Sequence, residues 1–347
     1  GNMTNWNGIE DWNNIEIIDA EGGSVFPSYC DSHTHLVFAE SREKEFVDRI
    51  KGLSYQEIAN SGGGILNSAR KLENICEEEL YNKANNRIKK IIQTGTGAVE
   101  IKSGYGLTTD AEIKILRVIK KLKQTNDITI KSTFLGAHAL PQKYKSNQKA
   151  YIDLIVNEML PIIAQENLAE YIDVFCEKNY FTVEDTIKIL NAGKKFNLIG
   201  KTHVNQFNAF GGIKASVDAG ALSVDHLEII NEEDISALKG SKCMPTILPS
   251  CSFFLGIPYS PVRKLINNNL PVALASDYNP GSSPSGNMNF VLSLACIKLK
   301  MTPEEAINAA TINSAYAMGI ENELGSIDIG KKANLFITKE ITSYNYL

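Results

Sequence analysis

Short apolar runs alternate with longer segments whose apolar residues recur at helical spacing, and this rhythm repeats along most of the chain. VFPSYCDSHTHL reads as a strand, and 77–93 as a helix ended by Gly95 and Gly97. GAVEIKSGYG is the next strand. The segment 108–124 is a helix with Ile113, Leu116 and Lys120 on one period, opening on Thr109 and Asp110 as its cap. ITIKSTFLGAHAL is a third strand, followed by a helix over 149–165 that Pro161 is expected to kink or break. YIDVFCE and a helix over 183–196 make the fourth pair. Shorter units follow: LIGKTHVNQ with 213–219, LSVDHLE with 232–238, and KCMPTILP with 262–268. PVALASDYNPG is the last strand, and helices over 287–298 and 303–318 close the series.

Alternating strand–helix units imply a parallel sheet covered by helices. Eight such units in a span of this size predict a (β/α)8 TIM barrel over residues 25–319. The competing doubly wound sheet lacks its signature, because no G-x-G-x-x-G follows a strand. The two ends do not fit the barrel. IEIIDAEGGSVFP before it and LGSIDIGKKANLFITKE after it both read as β, so 1–24 and 320–347 are expected to form a small β satellite, short at both ends. SGGGIL at 61–66 reads as a flexible loop.

Composition narrows the class. Of 347 residues, 43% are hydrophobic, enough for a sizeable core, and the net charge of −5 with no basic block argues against nucleic acid as a partner. The six cysteines form no C-x-x-C pair and no disulfide framework, so most are expected to be buried thiols in a reducing compartment. The N-terminal stretch has no cationic apolar leader, and nothing approaches the roughly 18 apolar residues of a membrane span. The expectation is a cytoplasmic protein away from membranes.

The polar residues give the chemistry. The chain has only five histidines, and each closes a predicted strand: His33 and His35 the first, His138 the third, His203 the fifth and His226 the sixth. Lys102, Ser103, Gly104 and Tyr105 close the second, and Asp277 ends the eighth. In a barrel these C-terminal ends converge on one face, which carries the active site. Residues i and i+2 of a strand point to the same side, so His33 and His35 both aim into the barrel mouth. With His203 and Asp277 they make an N3O ligand set that suits zinc, iron or manganese, with a position left for water whose pKa the ion lowers toward neutrality.

Each residue has an ordinary explanation when taken alone. His33 and His35 are two strand histidines, His203 and His226 satisfied polar residues, and Asp277 a turn cap beside Asn279, Pro280 and Gly281. Their joint placement on the first, fifth, sixth and eighth strands is what favours the metal. Arg42, just past the pair, is either a surface charge or a bidentate clamp for a carboxylate. Tyr105 is either a turn aromatic or a ligand contact, where flanking glycines allow close backbone approach. A carbamylated Lys102 would bridge two metals, but four ligands are complete without it.

These residues resemble the amidohydrolase superfamily, and within it the imidazolonepropionase family of histidine degradation. H-x-H with His, His and Asp is the superfamily pattern. HTHLVFAESREKEF, GGGI, EIKSGYGL, TFLGAHALP, DVFCE, SVDHLE and SDYNPGS look like the narrower family, over nearly the whole chain. The resemblance implies hydrolytic ring opening of 4-imidazolone-5-propanoate to N-formimidoyl-L-glutamate. It implies one zinc or iron ion on His33, His35, His203 and Asp277, and a homodimer. Arg42, Tyr105 and His138 would contact substrate, with Arg42 on the propionate. His226 would stand beside the nucleophilic water, and Asn279, Gly281 and Ser282 would form the loop near the product. The family carries Glu or Gln three residues after the fifth-strand histidine, and here it is Gln206. Glutamine shuttles no proton but can hold a ring nitrogen or carbonyl, so proton transfer would fall to Asp277, with His226 beside it. Two rivals remain. A sister deaminase or cyclic-amide hydrolase would share the metal set without needing Arg42 or Tyr105. A non-catalytic scaffold of the same fold should have lost ligands.

Overall fold

The computed structural model describes residues 16–54, 57–58 and 61–344. Ten strands are formed among them: β1 Val25–Pro27, β2 Tyr29–Thr34, β3 Thr96–Lys102, β4 Thr129–Ala137, β5 Tyr171–Cys176, β6 Ile199–Val204, β7 Ser223–His226, β8 Met244–Ile247, β9 Ala273–Leu274 and β10 Leu335–Ile337. β2 to β9 make one eight-stranded sheet in sequence order, parallel throughout. The sheet curls until its edges meet. Asp277 N–H donates to the His33 carbonyl at 3.0 Å, and His35 N–H to the Tyr278 carbonyl at 2.9 Å. The barrel expected from the strand–helix rhythm is therefore present.

The helices follow the apolar spacing. Glu77–Gln93 buries Leu80, Ala84, Ile88 and Ile91 and opens on three glutamates, which suit a helix N-terminus. Thr109–Thr125 is capped by Thr108, whose hydroxyl accepts from Ala111 N–H, one residue before the expected cap. Pro161 does not break its helix. The chain runs as α-helix over Gln148–Leu154, widens to a π-helical turn over Ile155–Met159, and resumes over Leu160–Glu166. The wide turn absorbs the proline, which has no N–H to give to the preceding turn.

Other expectations are corrected. VFPSYCDSHTHL is two strands, since the chain leaves the small sheet after Pro27 and enters the barrel at Tyr29. The run 303–318 is two helices, Pro303–Ala310 and Ile312–Ala317. SGGGIL is only partly loop, because Gly64 begins the helix Gly64–Asn74. The last barrel strand shrinks to Ala273–Leu274, since Ser276 N–H donates to the Asp31 carboxylate (2.9 Å) instead of a backbone carbonyl. β1 and β10 pair antiparallel at the N-terminal end of the barrel, with Val25 opposite Ile337. The expected satellite segment 1–15 lies outside the described residues. All six cysteines are free, four of them buried, while Cys76 is exposed and Cys296 half-buried.

Candidate metal and substrate site

The C-terminal ends of the barrel strands end in backbone kinks. Asn205 after β6, His226 and Leu227 at the end of β7, and Asp277 after β9 all have positive φ: 57°, 91°, 64° and 52°. Such angles are costly for residues with side chains and collect at functional sites. Here they let each strand end turn away sharply at the barrel mouth.

Three imidazoles meet there. His35 Nε2 lies 3.3 Å from His33 Nε2 and 3.2 Å from His203 Nε2, and all three rings are buried. The opposite ring nitrogens are committed. His33 Nδ1 faces Asp225 Oδ2 at 2.6 Å, His203 Nδ1 faces both Asp173 oxygens at 3.1 Å, and His35 Nδ1 faces the Ser103 carbonyl at 3.4 Å. Those partners only accept, so each Nδ1 donates, which leaves the Nε2 atoms turned into the cluster. Burial, then the positive neighbours, holds His33 and His35 well below the usual histidine range. Asp277 Oδ1 lies 3.6 Å from His33 Nε2 and 3.7 Å from His35 Nε2. Burial raises its carboxyl above the ordinary value. Three converging lone pairs and a carboxylate repel one another unless a cation lies between them. A tetrahedral ion with bonds of about 2.0–2.1 Å sets ligand spacings of roughly 3.3 Å. The Nε2 spacings of 3.2 and 3.3 Å match that value and the Asp277 spacings of 3.6 and 3.7 Å come close to it, which makes these residues a candidate site for a small divalent ion.

The remaining sequence candidates surround the same small pocket, which Arg42, Tyr105, His138, Gln206, His226, Asn279 and Ser282 help to line. Arg42 is buried and donates from Nη2 to the Tyr105 hydroxyl at 3.2 Å, while its Nε has no partner. Gly281 lies against the guanidinium, and a Cβ there would stand 2.3 Å from Arg42 Cζ. His138 stacks on His35, with ring centroids 5.1 Å apart, and its Nδ1 donates to the Gly104 carbonyl at 3.0 Å. Burial pushes the His138 pKa down to about 3, so the ring is neutral. Gln206 donates weakly to Cys251 Sγ at 3.5 Å. Asn279 shapes its loop, accepting from Gly281 and Ser282 N–H (2.8 Å each) and donating to the Asp277 carbonyl at 2.7 Å. His226 Nδ1 lies 3.4 Å from Glu228 Oε1; burial opposes its charge, but Glu228, Asp277 and Asp225 together outweigh burial and raise its pKa.

Several carboxylates around the site escape a reading of the histidines alone. Asp173 and Asp225 orient two of the imidazoles, Glu228 backs His226, and Glu112 accepts from the N–H groups of Gly104, Gly106 and Leu107 to shape the Tyr105 loop. Their signal was present. Aspartate inside YIDVFC or SVDH sits in a wholly buried strand, where a carboxylate requires a partner. Lys102 does not reach into the pocket. It is enclosed by Glu100, Asp173 and Asp225, with no exposed surface for carbamylation.

Residues 24–346 match the amidohydrolase family. The chain belongs to the amidohydrolase family. It is 66% identical over 329 residues to an imidazolonepropionase of Flavobacterium psychrophilum, covering 95% of this chain and 80% of that one. An imidazolonepropionase of Christiangramia forsetii is 61% identical over 332 residues, with 96% and 81% covered. Among solved structures, 5-methylcytosine deaminase of Klebsiella pneumoniae, liganded with 5-fluorocytosine, superposes with a TM-score of 0.73 over 94% of this chain and 83% of that one. Its identity of 15% supports a shared fold alone. Among the described residues no helix is long and apolar enough to cross a membrane.

Proposed function

We propose that this chain hydrolyses the ring amide of 4-imidazolone-5-propanoate to give N-formimidoyl-L-glutamate. One observation carries the reading: a buried arginine, clamped beside a tyrosine and a neutral histidine, lines the same pocket as His35 and His203, two of the three converging imidazoles. A cyclic amide bearing a propionate tail needs both halves. The relatives at 66% and 61% identity, named imidazolonepropionase, support the same substrate.

His33, His35, His203 and Asp277 would hold one zinc or iron ion. When bound, such an ion supplies a Lewis acid that makes water nucleophilic near neutral pH. The protein's own groups do the rest. Arg42 takes the propionate, and Tyr105 and His138 flank the ring. Hydrolysis adds water to the ring carbonyl carbon, breaks its bond to the ring nitrogen, and leaves a new carboxylate. The water gives up a proton and the departing nitrogen needs one. Asp277 can accept the first and return it, with His226 held beside it by Glu228. Gln206 has no proton to shuttle and holds the ring by hydrogen bonds.

The test is loss of substrate absorbance on adding purified protein, with and without chelator, beside metal analysis. Chelator-sensitive turnover with one ion per chain is expected, and His35→Ala should stay folded while losing both. Equal turnover of a deaminase or cyclic-amide panel and no turnover of the imidazolone would overturn the reading. By the family resemblance the reading extends to a homodimer in the cytoplasm, which light scattering and cell fractionation test.

A further inference from the structure

Under the three histidines lies a closed ionic layer inside the barrel. Lys102, at the end of β3, donates from Nζ to Glu100 Oε1 at 2.6 Å and to Asp173 Oδ2 at 2.9 Å, and lies 3.5 Å from Asp225 Oδ2. Lys201 on β6 joins through the other Glu100 oxygen and donates to the Ala317 carbonyl at 2.9 Å. All five side chains are fully buried. Burial alone would strip the Lys102 proton, but Asp173, Glu100 and Asp225 more than reverse this and keep it charged.

The two aspartates face both ways. Asp225 Oδ2 meets His33 Nδ1 from above and Lys102 from below, while its Oδ1 accepts from the Ser223 hydroxyl at 2.7 Å. Asp173 meets His203 Nδ1, and its Oδ1 also accepts from the His203 amide at 3.0 Å. One ammonium therefore links the two carboxylates that set ring orientation and tautomer for two of the imidazoles.

We propose that Lys102 is a positioning residue for the metal site, fixing Asp173 and Asp225 so that His203 and His33 present their Nε2 lone pairs to one point. The inference rests on the ligand set proposed above. Two physical accounts of this lysine lead to opposite results. A buried positive charge near a cation repels it, so if Lys102 acted only as a charge, removing it would tighten metal binding. If it acts as a clamp, removing it weakens binding although the site becomes more negative, because freed carboxylates turn away and no longer fix the rings. Losing such an outer partner typically costs about 10–100-fold in metal affinity.

The experiment uses metal-free full-length protein titrated with zinc against a chromophoric chelator, with folding followed by circular dichroism. Lys102→Met removes the clamp. Because it leaves three carboxylates facing one lysine, it is paired with Lys102→Met/Glu100→Gln, which removes one negative charge and leaves Asp173 and Asp225 unclamped. Both folded variants are expected to bind zinc about 10–100-fold more weakly than the parent, and Glu100→Gln alone within a few-fold of it. Parent-like or tighter binding by the double variant would overturn the clamp and leave Lys102 as a charge-balancing group. A parent that binds no zinc would overturn the ligand set, and this inference with it.

Discussion

Arg42 gains its meaning from burial. An arginine on a surface is an ordinary charge, whereas this one is 6% exposed and turned toward Tyr105, with Nε unpaired. Glu45 Oε2 lies 3.7 Å from its Nη1, and a substrate carboxylate would add to that pairing. Arg42→Lys keeps the charge but loses the planar fork. It should raise KM about tenfold, on the order of 1–2 kcal/mol of binding, with metal content unchanged; an unaltered KM would remove Arg42 from the carboxylate. Gln206 and Asp277 should separate in the opposite way. Gln206→Ala should cost roughly 1–3 kcal/mol of transition-state binding and keep the acid limb of the pH–rate profile. Asp277→Asn removes a proposed ligand and the proposed proton acceptor together, so turnover should fall far further. Substantial activity in metal-loaded Asp277→Asn would assign the proton to another group. At this scale the five histidines and Asp277 were legible because strand ends converge in a barrel. The carboxylates behind them were less so, because a partner two strands away leaves no spacing in the chain.

At the scale of elements, the sequence's rhythm marked most helices to within a residue or two, because apolar spacing and caps are local. It missed Glu43–Ile50, Gly64–Asn74 and Pro249–Leu255. The first two lie over the mouth and are held by site contacts: Glu45 Oε1 accepts from Gly64 N–H at 3.0 Å and from the Asn67 amide at 2.9 Å. Local periodicity does not report such a tie. The loop after β9 is equally tertiary, and it offers a clean steric test. Gly281 needs no unusual backbone angle, so Gly281→Ala acts through its methyl group alone, which would meet the Arg42 guanidinium. The variant should fold like the parent and raise KM as Arg42→Lys does, with kcat little changed. A parent-like KM would mean that Arg42 shifts freely and is not held in place by this loop.

For the molecule as a whole, chemistry and its scaffolding sit at opposite ends of one barrel. The β1–β10 pair lies at the end away from the pocket, where Phe336 packs on Tyr29, at 5.0 Å between centroids, and on Phe26, at 5.5 Å. Phe336→Ala should cost roughly 1–3 kcal/mol of stability and lower the unfolding midpoint, while kcat, KM and metal content stay put. A change in KM would show that the two ends communicate. The fold was legible from repetition alone, and the pairing of the chain ends from their β-like composition. The short last strand was not, because at Ser276 the Asp31 side chain takes the place of a backbone partner.

Closure of the barrel also sets an order in time. His33 and His35 leave the ribosome before Asp277, and about 240 residues separate His35 from Asp277, which at 5–20 residues per second is roughly 12–50 s of synthesis. During that interval the nascent chain carries His33 and His35 without the segment that brings Asp277 beside them, so the proposed four-donor set is incomplete. On the proposed ligand set, all four donors surround an ion only after Asp277 has been made and the barrel has closed.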